Sequence, residues 1–268
     1  MNAFQNLLAR FQPRRIGLLI KRDVYLQYQT FLIVFGALFV VLLIAGMTAI
    51  ASGASGSLNP VLFPLVLFVG GFVFTSSAFN ELNHARARAF YLSLPASTAE
   101  KFFAKLLLTG PAWAIACLLV YFLFSATVSG LTGLVFGTGY ELFNPLTASA
   151  WTNMGVYLIF QSVFLTGAIW FRKNAFSKTV LVVFALLLGY LAFAAAAAYV
   201  FHKVISIGGP PYIAFKIFDA AAGKDMPIPA ELRALSSTMG RIFHVLFVYV
   251  MAPFLWLVSY FRLKETRG

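Results

Sequence analysis

The chain has 268 residues, 61% of them hydrophobic and only 10% charged, with a mean hydropathy of +0.87. Water-soluble domains draw about a quarter of their residues from Asp, Glu, Lys and Arg, so this composition excludes a soluble fold and points to a membrane protein. The formal charge of +12 sits in short segments between apolar runs; no basic and aromatic recognition module accompanies it, and no nucleic acid is expected as a partner.

Residues 1–29 read as an interfacial segment. Phe4, Leu7, Leu8 and Phe11, then Ile16, Leu19 and Ile20 after Pro13, recur at roughly helical spacing among Arg10, Arg14, Arg15, Lys21 and Arg22. Such a helix lies at lipid headgroups, and it lacks the compact apolar core of a cleavable leader. Six apolar stretches follow, near 30–51, 60–79, 106–129, 151–171, 179–201 and 243–261. Each can cross a hydrocarbon core of about 30 Å, which takes roughly 20 helical residues. They are continuous instead of alternating, which favours helices over barrel strands. The expected fold is an all-α integral membrane protein of six transmembrane helices in a single domain, residues 1–268. Membrane lipids are its first partner. Cys117, the single cysteine, falls inside the third stretch and reads as a packing residue.

Between the second and third stretches stands ARARAFYLSLPASTAEKFFAKLLLTG, from Ala85 to Gly110. The Ala-rich, Arg-bearing composition of residues 83–92 suits a short helix across the membrane face. Pro95 disfavours helix at Leu94. Ser97 with Glu100 three residues on is a capping box, predicting a new helix from Thr98. Lys101 and Lys105 lie one turn apart on it and are expected to snorkel to headgroups.

Fifteen of the 20 Lys and Arg fall in the N-terminal segment, the loops after the second and fourth stretches, and the tail. The other five lie in residues 202–242, where three acids offset them. Short basic loops stay cytoplasmic, so both termini are expected in the cytoplasm and residues 202–242 outside. The six stretches contain no Asp, Glu, Lys or Arg, which argues against a proton-coupled carrier. Gln161, Asn153, Thr75, Ser76 and Ser77 read as interhelical hydrogen-bonding groups or as the lining of a path. Ala185 and Gly189, with the alanines 194–198, make the fifth stretch suited to close helix approach.

Phosphate-loop, zinc-protease and nucleophile-elbow motifs are absent from the sequence, so no catalytic, cofactor or metal residue is expected. His202 and His244 fall near the expected outer ends of the fifth and sixth stretches, close enough in this topology for an approach, but no third ligand is evident and they read as interfacial histidines. What remains open from the residues alone is a transporter needing an external energy source, a membrane-anchored scaffold or assembly factor, or a self-contained channel or carrier.

The stretch FNELNHARARAFYLSLPASTAEKFFAKLL, after the second of six helices and a basic N-terminal segment, resembles the permease subunit of ABC-2 type transporters. Its most specific part is Leu94, Pro95, Ser97, Glu100, Lys101 and Phe102. The resemblance implies a half-transporter: a second permease copy, identical or not, and a separate ABC ATPase subunit that carries ATP and Mg, usually driving export. It further implies that residues 1–29 form an elbow helix and that residues 83–92 couple to the ATPase, through Asn83, His84, Arg86, Arg88, Phe90, Tyr91 and Leu92. Helices 1 and 5 would face the second permease, with Ala185 and Gly189 at the dimer interface. The setting would be a bacterial cytoplasmic membrane, the inner membrane of the cell.

Overall fold

The computed structural model describes residues 12–52, 58–83, 85–137, 141–171, 173–208 and 246–265. Residues 1–11 of the expected elbow, His84, His244 and residues 209–242 of the expected outer segment lie outside them. Helix accounts for nearly all of what is described, and no strand occurs among the described residues.

Helix α1 runs without a break over Pro13–Ala51, 39 residues. Proline opens it well, because its φ is already helical and the missing N–H has no acceptor in a first turn. The backbone stays helical through the expected boundary near residue 30, and the apolar span within this helix begins there, at Phe31. The physical reason is plain in the sequence, where no proline follows Pro13 before Ala51 to interrupt the hydrogen-bond ladder.

The second rod consists of α2 (Asn59–Leu65), a wide turn at Val66–Gly70 with i to i+5 hydrogen bonding, and α3 (Gly71–Ser77). A tight turn follows at Asn80–Asn83, and then the short helix α4 at Ala85–Ser93. The third rod repeats the pattern: α5 (Thr98–Leu107), a wide turn at Leu108–Ala112, and α6 (Trp113–Phe136). Pro64 and Pro111 sit in or just before the two wide turns. A proline removes one ladder N–H and crowds the preceding carbonyl, and the chain absorbs this by widening one turn. Helix α6 ends at Gly137, whose φ of 72° is left-handed and whose N–H caps Gly133 O at 3.0 Å. Helix α7 (Ala148–Trp170) starts at Thr147, which accepts from Ala150 N. Then come α8 (Ala175–Gly208), a wide turn at Leu246–Met251, and α9 (Ala252–Glu265).

Among the described residues five helices are long and apolar enough to cross a membrane, at Phe31–Ala51, Asn59–Asn83, Thr98–Phe136, Ala148–Trp170 and Ala175–Ala196. The protein is thus an all-α membrane protein. The sixth expected stretch is described only from Leu246 onward.

The chain divides into two units, one of residues up to Phe176 together with Ala252 onward, the other Ser177–Met251. In the first, α1, α2, α3, α6 and α7 enclose a core rich in rings: Phe63, Phe74, Trp113, Tyr121 and Tyr157 are all buried around Leu67 and Cys117. Phe72 and Phe164 stack with centroids 4.1 Å apart. In the second unit, the side chains of α8 from 180 to 196 are nearly all exposed, Ala185 and Gly189 included.

Candidate functional site

Where α1, the second rod, α4 and α5 meet, charges that the sequence scatters over 80 residues come together. Lys105 Nζ lies 2.9 Å from Asp23 Oδ2 and 3.8 Å from Glu81 Oε1. Arg22 Nη2 bridges the same two acids, at 2.8 Å from Asp23 Oδ1 and 3.0 Å from Glu81 Oε1. Lys101 Nζ donates to Tyr91 O at 2.6 Å. The Tyr91 ring lies beneath all three cations, with Lys101 Nζ 5.1 Å, Arg22 Cζ 5.9 Å and Lys105 Nζ 6.0 Å from its centroid, within the range of cation–π attraction.

This corrects the expectation that Lys101 and Lys105 snorkel outward: their exposures are 2% and 3%. The desolvation penalty of two buried ammonium groups is several kcal/mol each, and here it is met by two carboxylates, a carbonyl and an aromatic face. Burial works against the charge of Arg22 as well, yet the nearby Asp23 and Glu81 carboxylates hold its pKa above the ordinary value. Sequence reasoning did not single out Asp23 or Glu81. The signal was there: they are the only acids in the first 99 residues, each standing beside basic segments.

A second carboxylate joint lies next to the first. Glu100 is fully buried. Its Oε2 accepts from Ser97 N at 2.7 Å while Ser97 Oγ accepts from Glu100 N at 3.1 Å, completing the expected capping box. Its other oxygen accepts from Gln12 N at 3.0 Å, so one side chain ties the start of α5 to the start of α1. Replacing Ser97 with Ala removes one half of the box and is expected to cost about 1 kcal/mol. A modest loss of thermal stability in detergent, with the protein still folded, is the result that checks it.

The residues expected to couple to a partner divide by position. Arg86, Arg88 and Phe90 are exposed on α4, Phe90 at 63%. Tyr91 is 3% exposed and serves as the anchor from below. Asn83 is half-buried and bonds to Asn80 Oδ1 at 3.3 Å. Leu92 lies on α4, and His84 falls outside the described residues. Helix α4 therefore presents two arginines and a phenylalanine while Tyr91 pins it to the ion-pair network.

Deeper in the bundle, Gln161 is fully buried and spans three rods: its Nε2 donates to Thr109 Oγ1 at 2.9 Å, and its Oε1 accepts from Trp256 Nε1 at 3.3 Å. Tyr157 OH donates to Thr109 O at 2.5 Å, and Trp113 Nε1 donates to Leu67 O at 3.2 Å. Thr109 and Leu67 both belong to the wide turns, whose loosened carbonyls accept these extra donors. Ser77 instead bonds within its own helix, to Phe74 O at 2.8 Å. Among the described residues no group of three or more His, Cys, Asp or Glu is placed to hold a metal ion. Comparison with family models, curated proteins and solved structures finds no match to this chain.

Proposed function

We propose that this chain is the permease subunit of an ATP-driven ABC-2 type transporter, an exporter in a bacterial cytoplasmic membrane, worked by a separate ATPase that binds ATP and Mg. In this reading the bundle has six membrane helices, both termini face the cytoplasm, and the ATPase docks on α4. The single observation that carries the reading is the construction of α4. Arg86, Arg88 and Phe90 are offered to solvent, while Tyr91 is fastened to cations from α1 and α5. A push on α4 therefore reaches α5 through the hydrogen bond from Lys101 Nζ to Tyr91 O at 2.6 Å and α1 through the cation–π contact of Arg22 with the Tyr91 ring at 5.9 Å, and not through a slack loop. The exposed α8, with Ala185 and Gly189 free of close neighbours on the glycine side, is the face assigned to the second permease copy.

The test is co-purification with an ATPase carrying a Walker A motif, sought first among the neighbouring coding sequences. Reversing Arg86→Glu and Arg88→Glu together is expected to leave folding nearly intact, because exposed substitutions usually shift stability by less than about 0.5 kcal/mol. The recovered ATPase, or the hydrolysis that the permease stimulates, should nevertheless fall several-fold. Full assembly and full stimulated hydrolysis in a well-folded double variant would return α4 to an ordinary cytoplasmic loop.

A further inference from the structure

At the end of the first unit's rods away from the ion-pair network, a recess of about 360 Å³ opens between the start of α2, the segment before α7 and the first turns of α7. Its volume falls in the range of small-molecule sites, about 300 to 1,000 Å³. Phe63, Pro64 and Phe143 supply its apolar wall, and Phe63 and Phe143 pack with centroids 4.8 Å apart. The wall is braced: Asn59 Nδ2 donates to Glu141 O at 2.8 Å, Tyr121 OH donates to Asn59 Oδ1 at 3.0 Å, and Phe143 N donates to Ser125 Oγ at 2.8 Å. These bonds hold residues 141–143 against two rods, so the recess is a formed feature of the fold.

Charge selects the ligand. Among the described residues no Lys or Arg lines the recess, and Glu141 is the single formally charged side chain there. Among the described residues neither the Glu141 carboxylate nor the Asn153 amide has a partner. The positive end of α7 also faces this region and would oppose a cation. That end carries roughly half an elementary charge, and Thr147 Oγ1 already accepts from Ala150 N at 3.4 Å; a whole carboxylate charge outweighs it.

From this arrangement we infer that the recess binds a small organic ammonium ion. Its charged nitrogen rests at Glu141, an N–H donates to the Asn153 carbonyl, and its hydrocarbon part lies against Phe63, Pro64 and Phe143. The inference is independent of any ATPase.

The probes are butylammonium, its uncharged counterpart 1-butanol, and butyrate, each titrated calorimetrically into the purified full chain in detergent. Saturable binding of butylammonium is expected, with 1-butanol and butyrate at least tenfold weaker. In Glu141→Gln, binding of butylammonium should fall at least tenfold with an unchanged melting temperature, because the Glu141 backbone carbonyl that Asn59 uses is retained. No saturable binding of butylammonium, equal binding of the alcohol, or unaltered affinity in a folded Glu141→Gln protein would each overturn the assignment. Should that variant fail to fold, the ranking of the three probes on the unaltered chain decides.

Discussion

Asn in place of Asp23 is expected to destabilise the protein by about 3 to 5 kcal/mol, the penalty of stripping one partner from a buried ion pair. Asp23 and the Lys105 side chain are 2% and 4% exposed, so water cannot replace what is lost, and Arg22 loses a partner in the same step. Lys105→Met should cost a similar amount for the opposite reason, leaving Asp23 with Arg22 alone. The double replacement should cost less than the sum of the two by at least about 1 kcal/mol, since groups in one network couple by about 0.5 to 3 kcal/mol. Denaturation in detergent for the four proteins measures this. Strict additivity, or two single replacements each costing under about 1 kcal/mol, would mean that the pair does not bind α1 to α5.

Among the described glycines, Gly71 should be the least forgiving. A Cβ there would collide with the ring of Tyr157, which is itself held by its hydrogen bond to Thr109 O. A ring fixed at both ends has little room to retreat, so Gly71→Ala is expected to cost about 1 to 3 kcal/mol as overpacking, and Gly71→Leu to abolish folded protein. Gly36 is the control, since a Cβ at that position would meet nothing within 4 Å. Gly36→Ala should be neutral or slightly stabilising, because Ala is the better helix former by about 1 kcal/mol. The contrast is read from yield and melting temperature. If the two alanine variants behave alike, Tyr157 does not press on the start of α3.

The features legible in the sequence were those set by neighbours along the chain. Ser97 and Glu100 are three residues apart, and their reciprocal bonds follow from helix geometry alone. The short helix at Ala85–Ser93 announced itself by composition and by Pro95 after it. Lys101 and Lys105 were misread because their partners are remote. On an isolated helix both would reach for headgroups, and only the fold brings Asp23, 82 positions earlier, beside Lys105. The wide turns were half visible. Pro64 and Pro111 mark them, but whether a proline kinks, breaks or widens a helix depends on what can fill the gap, here Trp113 and Tyr157. The recess at Glu141 had no local signature, since its walls come from segments about 80 residues apart.

The unbroken first helix has a mechanical consequence. At about 1.5 Å per residue, its 39 residues extend nearly 60 Å, about twice the thickness of a hydrocarbon core. It is gripped at Arg22 and Asp23, close to one end, while Ala51 lies 28 residues beyond the grip. Such a rod is a lever with unequal arms. A tilt of about 10° at the grip sweeps its far end through roughly 7 Å, taking that arm as about 42 Å from the helical rise. The short arm, from Pro13 to Arg22, is about 14 Å by the same rise, so the gain is about threefold, and a shift of about 1 Å at the start of the helix corresponds to about 3 Å at Ala51.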